Sequence, residues 1–194
     1  MGEKIQIAIK EFGRRHPEIE LLKSKISDLD IGNLESRLNI IIPNSVKDYF
    51  QSYTLSTPFV TGKMRGDFSN TYCEETGRWR ELEIEEKIAT TTLHLPLMLP
   101  NTDLREFEEV NRAFAGTGYL WLGMYNDEYY VLIEIQSGQI YQVDMGRIRL
   151  TAENVTRVDI MRWALPFFHS FEDLVRCFFT GEIYDEDEMI FVDE

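Results

Sequence analysis

Apolar residues recur at helical spacing through the N-terminal part of the chain, residues 1–53. Ile5, Ala8, Ile9 and Phe12 fall at positions i, i+3, i+4 and i+7, which lie along one face of an α-helix. The same spacing recurs further along this part of the chain. It predicts four successive short helices, near residues 5–12, 17–26, 31–38 and 43–53.

The middle of the chain carries weaker patterns. Residues 61–70 are rich in glycine and polar residues, which is typical of a loop. Apolar and acidic residues alternate over residues 81–88, which favours a strand, although a helix also fits this stretch. Helical spacing returns after Thr102, which can cap a helix, and Gly116 is placed to end that helix.

The clearest strand pattern lies between residues 119 and 144. Runs of β-branched and aromatic residues are separated there by the turn pairs Asn126-Asp127 and Ser137-Gly138. This order predicts an antiparallel meander of three strands, over residues 119–123, 129–135 and 139–144. A further strand is predicted around residues 155–163.

The last predicted helix has signals at both of its ends. Ser170 and Asp173 match a capping box at its start, and Gly181 stands where a glycine commonly ends a helix. The apolar residues between these ends recur at helical spacing.

Length and composition are those of one folded domain. The chain has 194 residues, of which 43% are hydrophobic, and no linker rich in proline or glycine divides it. We therefore expect a single α+β domain over residues 1–181, with an acidic C-terminal tail over residues 182–194.

The net charge narrows the classes of partner. Asp and Glu number 34 against 20 Lys and Arg, which gives a charge of −14. Binding to nucleic acids and to anionic membranes relies on basic residues, so neither is an expected partner. A basic protein remains a partner compatible with this charge.

The acidity is concentrated in residues 182–194, which contain seven acidic residues and no basic one. Apolar residues interleave with these acids, as in a segment that docks on a basic protein. The residues predicted to bind a partner are Tyr184, Asp185, Glu186, Asp187 and Glu188. A solvated charge run and an edge strand held on the same domain are alternative interpretations.

No pattern in the sequence indicates a catalytic residue, a metal site or a cofactor. His16, His94 and His169 are far apart in the sequence and follow no metal-ligand spacing. Cys177 lies among phenylalanines of the last predicted helix, where a thiol acts as a small hydrophobe. Cys73 is predicted to lie in a loop beside acidic residues that raise a thiol pKa.

The sequence shows neither a signal peptide nor an apolar run long enough to span a membrane. Two widely spaced cysteines are typical of reduced thiols. We therefore expect a cytoplasmic protein.

Three segments in order resemble the SUKH superfamily, which includes the fungal Smi/Knr cell-wall regulators and many bacterial immunity proteins. Residues 38–50 are similar to the apolar stretch, proline and aromatic helix that open the family's pattern. Residues 120–123 and 130–141 resemble its central hairpin, and residues 170–174 its closing helix. The chain departs from the pattern at residues 53–56, where the family usually has an Asn-Gly-Gly-like turn.

The resemblance implies an α+β fold in which helices flank a twisted, mostly antiparallel sheet. It also implies binding rather than catalysis, because bacterial members typically sit on a toxin's effector domain, often a nuclease, and block it. A nuclease must be basic to hold phosphate, and an acidic inhibitor is steered onto it. The alternative function is a regulatory or scaffold interaction module of the Smi/Knr type with no toxin partner. A third hypothesis is that the protein is an enzyme.

Overall fold

The computed structural model describes residues 3–56, 59–67, 70–73, 78–81, 86–95, 104–148 and 155–193. Within these ranges the chain forms six helices and a mostly antiparallel sheet of eight strands, with helices flanking the sheet. The predicted α+β fold class is therefore confirmed.

The helices are α1 Glu3–Arg15, α2 Asp28–Leu38, α3 Asn44–Phe50, α4 Arg105–Ala113, α5 Arg157–Trp163 and α6 Phe171–Thr180. The first six strands are β1 Leu21–Lys23, β2 Tyr53–Leu55, β3 Phe59–Asp67, β4 Asn70–Cys73, β5 Arg78–Glu81 and β6 Glu86–His94. The remaining strands are β7 Tyr119–Tyr125, β8 Tyr129–Glu134, β9 Ile140–Asp144, β10 Ala164–Phe168, β11 Ile183–Asp185 and β12 Ile190–Val192.

The large sheet has the strand order β10-β9-β8-β7-β6-β3-β11-β12. Its neighbouring strands are antiparallel except β11 and β3, which run parallel. Two small antiparallel pairs, β1 with β2 and β4 with β5, stand apart from it. Strands β6 and β7 pair only at their ends, through Leu93 with Tyr125 and His94 with Met124. Most residues of β6 therefore pair with β3 but not with β7.

The sheet curls around α6. Phe168 on β10 and Tyr184 on β11 have ring centroids 4.3 Å apart, although five strands separate β10 from β11 in the strand order. Phe178 on α6 approaches both Phe168 and Tyr125, at 6.3 and 6.5 Å between ring centroids. The core is thus built from α6 aromatics and the concave face of the sheet.

Helix α6 has the ends that its sequence predicts. The Ser170 hydroxyl accepts a hydrogen bond from the Asp173 amide at 3.2 Å, and Gly181 ends the helix in the left-handed region with φ 77°. Cys177 is fully buried on this helix, as expected for a small hydrophobe.

The predicted helices near residues 5–12 and 31–38, the start of the fourth helix, and the predicted three-strand meander are confirmed. On α1, the predicted apolar face is buried, and Phe12 packs on Phe179 of α6 with 5.3 Å between ring centroids. Between β7 and β8, Asn126 and Asp127 both have positive φ, at 48° and 56°. Both angles suit a tight hairpin turn.

The predicted helix over residues 17–26 is wrong, because residues 21–23 form β1. Lys23 pairs with Tyr53 of β2, a residue that the prediction placed at the end of the fourth helical segment. That helix ends at Phe50. Spacing within a short segment does not reveal a strand partner about thirty residues away, and that partner decides the structure here.

The predicted loop at residues 61–70 and the predicted strand at residues 155–163 are also wrong. The first is mostly β3, which pairs with β6 along its length. The second is α5, whose start is capped by reciprocal hydrogen bonds between Thr156 and Asp159. Cys73, predicted to lie in a loop, is the last residue of β4.

Two further predictions lie partly outside the described residues. Residues 82–85 and Thr102 belong to stretches that the structure does not describe. The helix predicted after Thr102 is present as α4, and Gly116 follows it with φ 78°.

Gly62 on β3 allows α6 to approach the sheet closely. A Cβ atom there would lie 3.0 Å from Cδ1 of Phe178 and 3.3 Å from Sγ of Cys177. Both neighbours are fully buried, so neither has space into which it can move.

We expect Gly62→Ala to lower the free energy of unfolding by roughly 1–3 kcal/mol through overpacking. Gly32→Ala on α2 is the matched control, because apart from its chain neighbours and the backbone of its own helix no atom lies within 4 Å of the added Cβ. Removing a helical glycine should raise stability by about 0.5–1 kcal/mol. Urea denaturation of both variants measures these effects, and a Gly62→Ala protein as stable as the unmodified chain would contradict the close approach.

Candidate functional site

The C-terminal acidic segment forms part of the large sheet. In β11, Ile183 pairs with Lys63 and Asp185 with Arg65 of β3, while β12 pairs back on β11 and forms the end of the sheet. Of the interpretations that the sequence leaves open, an edge strand held on the same domain describes the backbone of this segment.

The five residues predicted to bind a partner differ in accessibility. Tyr184 is 1% exposed and Asp185 is 6% exposed, so neither side chain presents much surface to a partner. Glu186 is half-buried, and Asp187 and Glu188 are exposed. Partner binding by this segment stays a prediction, and Asp187 and Glu188 are the exposed carboxylates among these five residues.

Asp185 has a local structural role. Its Oδ1 atom accepts hydrogen bonds from the backbone amides of Asp187 at 3.1 Å and Glu188 at 2.9 Å. This bonding shapes the turn between β11 and β12. The turn holds Asp187 and Glu188 at its surface.

Tyr184 belongs to the core. Its ring lies 4.3 Å from that of Phe168 and 5.1 Å from that of Phe191, measured between centroids. Burial raises the pKa of Tyr184. Its hydroxyl makes no hydrogen bond with the part of the chain that the structure describes.

Glu186 and carboxylates from two other parts of the chain act together on the Tyr129 side chain. Burial, together with the charges of Glu128, Asp144 and Glu186, raises the pKa of Tyr129. Glu186 also lies close over Gly66, where a Cβ atom would be 2.6 Å from its Oε1. Sequence analysis missed Glu128 and Asp144, because pairing between β8 and β9 places Asp144 opposite Tyr129 and no local pattern links either residue to Glu186.

A groove of about 760 Å³ runs between α1 and α6 beside this segment. Ile7 and Ala8 contribute apolar surface to it. Two basic residues, Lys4 and Arg176, also line it. Its four acidic lining residues are Glu3, Glu172, Asp173 and Glu182.

A smaller cleft of about 280 Å³ continues from the groove to β12, since both contain Arg176 and Glu182. Arg176 donates hydrogen bonds to both carboxylate oxygens of Glu182, and its guanidinium lies 3.8 Å over the Phe191 ring. The hydrogen bonds from Arg176 lower the pKa of Glu182. The charge of Arg176 is therefore offset locally.

We call this region the acidic surface. It combines the rim of the groove, the cleft and the β11–β12 turn. Its acidic residues are Glu3, Glu172, Asp173, Glu182, Asp187, Glu188 and Asp193.

A second exposed surface is apolar and lies on α5 and β10. Val158 is 75% exposed and Leu165 is 58% exposed, and Met161 and Trp163 are also exposed. The guanidinium of Arg147 lies 4.8 Å from the centroid of the Trp163 ring. Exposed apolar groups of this kind commonly mark interaction surfaces.

A cavity of about 350 Å³ lies between α2 and α4 and is lined in part by Arg37 and Glu108. Glu108 is buried and accepts hydrogen bonds from Arg37 at 2.9 Å and Arg112 at 2.8 Å. These bonds hold the pKa of the Glu108 carboxyl below its ordinary value. The arrangement ties α2 to α4.

Within the described ranges, no three His, Cys, Asp or Glu side chains converge in a way that could hold a metal ion. Burial raises the pKa of the Cys177 thiol, which keeps that group protonated. None of the helices in the described part of the chain has the length and apolar character needed to cross a membrane.

Comparison with known proteins leaves the resemblance to the SUKH superfamily as a prediction. No family model matches this chain, and no curated protein matches it.

The ion pairs of Glu108 predict a pH-dependent contribution to stability. Because its pKa is lowered in the folded state, this stability is present above the unfolded-state pKa and is lost as pH falls through the folded-state pKa. We expect Glu108→Gln to cost about 1 kcal/mol at pH 7, since both arginine partners are partly exposed. The difference should vanish in strongly acidic solution, and a difference independent of pH would contradict the ionic contribution.

The position of Tyr184 predicts opposite results for two substitutions. Tyr184→Phe removes a buried hydroxyl that lacks a described partner, so stability should stay unchanged or rise by up to about 1 kcal/mol. Tyr184→Ala should cost roughly 3–5 kcal/mol because it leaves a cavity. Thermal unfolding measures both, and a strong loss in Tyr184→Phe would show that the hydroxyl does have a partner.

Proposed function

We propose that this protein is a non-enzymatic binding protein of the SUKH immunity type. It binds a basic toxin effector domain, such as a nuclease, and neutralises it by covering its active site. The observation that carries the proposal is the acidic surface, whose carboxylates lie on folded elements.

Electrostatics supports this function. A toxin that acts on nucleic acid needs basic groups to bind phosphate. The net charge of −14 attracts such a domain, and a concentrated acidic surface raises the rate of association. An inhibitor gains from this rate because it must reach the toxin before the toxin acts.

The geometry of the C-terminal segment supports it further. Asp187 and Glu188 project from a turn that Asp185 shapes by two hydrogen bonds. The neighbouring groove also offers exposed apolar surface at Ile7. A surface that is ordered before binding loses less conformational entropy when the partner docks.

Co-expression with a toxin that the neighbouring gene encodes, once that product is identified, tests the function directly. Cells that carry the toxin alone should die, and cells that carry both proteins should survive. Continued killing in the presence of folded, abundant protein would overturn the proposal.

The double variant Asp187→Lys/Glu188→Lys tests the acidic surface. We expect its association rate constant with the toxin domain to fall by at least tenfold, with a weaker dependence on salt. Glu106→Lys/Glu109→Lys on α4 is the matched control, because it changes the net charge equally at two other exposed positions. Stopped-flow mixing measures both rates, and equal losses would assign the effect to net charge alone.

A second candidate function is a regulatory or scaffold module of the Smi/Knr type without a toxin partner. The exposed apolar residues of α5 and β10 favour it, because a scaffold requires a binding surface besides the acidic one. A stable endogenous complex, recovered from cells in which no toxin gene lies nearby, would support this function over the first.

A further inference from the structure

The outer edge of β12 is open within the described part of the chain. The strand order ends at β12, and no described strand pairs with its far side. Open edges of this kind accept additional strands from binding partners.

The hydrogen-bond pattern identifies which backbone groups face the open edge. The Glu186 amide donates to the Arg65 carbonyl of β3 at 3.0 Å. Because backbone groups alternate in direction along a strand, Tyr184 also faces β3, and its neighbours in β11 face β12. In β12 the residue opposite Tyr184 is Phe191, so its amide and carbonyl point outward.

The charges around this edge are acidic. Asp187 and Glu188 precede β12, and Asp193 follows it, and all three are exposed. Two arginines also lie beside the cleft at β12: Arg176 is over Phe191 and paired with Glu182, and the guanidinium of Arg15 lies against Gly181. Ile190 on β12 is 46% exposed and offers apolar contact beside the carboxylates.

The β10 end of the sheet has a different chemistry. Pro166 lies within β10 and has no amide hydrogen to donate. Arg147 and Arg162 lie over Trp163, directly before β10. The carboxylates near β12 therefore favour a basic strand at that edge, whereas the arginines before β10 disfavour one there.

We propose that β12 accepts an extended, basic segment of the partner as an additional strand of the sheet. Phe191 forms the main-chain hydrogen bonds, and cationic side chains of the segment pair with Glu188 and Asp193. The proposal rests on the proposed function, since it states how the same basic partner docks.

Two synthetic peptides test strand addition without the toxin. The probe, called the valine peptide, is capped Lys-Val-Lys-Val-Lys-Val-Lys, and the control is the same capped peptide with every backbone nitrogen methylated. The control has equal charge but no amide hydrogen to donate to a strand. In the full-length, isotope-labelled protein, only the valine peptide should slow hydrogen exchange of the Phe191 amide, by at least tenfold. Equal effects of the two peptides, or no protection of this amide, would overturn the proposal.

Two variants at one position separate the backbone from the side chain. Phe191→Ala and Phe191→Pro both remove the ring, but only Phe191→Pro removes the outward-facing amide hydrogen. We expect Phe191→Pro to bind the valine peptide at least tenfold more weakly than Phe191→Ala, provided that both variants show cooperative unfolding. Equal affinities would overturn the proposal, and amide protection in the unmodified protein decides it if either variant fails to fold.

The toxin assay keeps the two proposals distinguishable. If the unmodified protein and Phe191→Pro neutralise the toxin equally, strand addition fails and the immunity function stands. If the unmodified protein does not neutralise the toxin, the immunity function fails, and the peptide measurements alone decide strand addition.

Discussion

The structure depends on the packing of α6 into the concave face of the curled sheet. Phe178 contacts aromatics from β7 and β10, and it does so over Gly62, where β3 has no side chain in the way. Helix α1 then packs on the other side of α6 through Phe12 and Phe179. Since β11 begins two residues after Gly181, the position of α6 also places the acidic segment beside β3.

The packing of α6 affects both the stability of the core and the arrangement of charges on the surface. The rim of the groove and the pairing of Arg176 with Glu182 both involve α6. Tyr184 secures β11 by its contact with Phe168, while the adjoining turn presents Asp187 and Glu188. The same short segment thus contributes core packing and exposed negative charge. Both roles are possible because successive side chains of a strand point to opposite faces of the sheet.

The sequence located the acidic segment but not the roles of its residues. Tyr184 and Asp185 share the composition of a docking motif, yet one fills the core and the other shapes a turn. Their burial follows from pairing with β3, more than a hundred residues earlier in the chain. Glu128 and Asp144 were missed for the same reason, because neither has a local pattern that points to Glu186.

The sequence by itself determined the elements whose signals are local. The apolar faces of α1 and α6, the caps of α6 and the tight turns of the β7–β9 meander need only neighbouring residues. Tertiary structure decided β1, β3 and β11, since a strand is stable only beside a partner strand and distant parts of the chain supply it. Those pairings also decided which acidic side chains are buried and which face solvent.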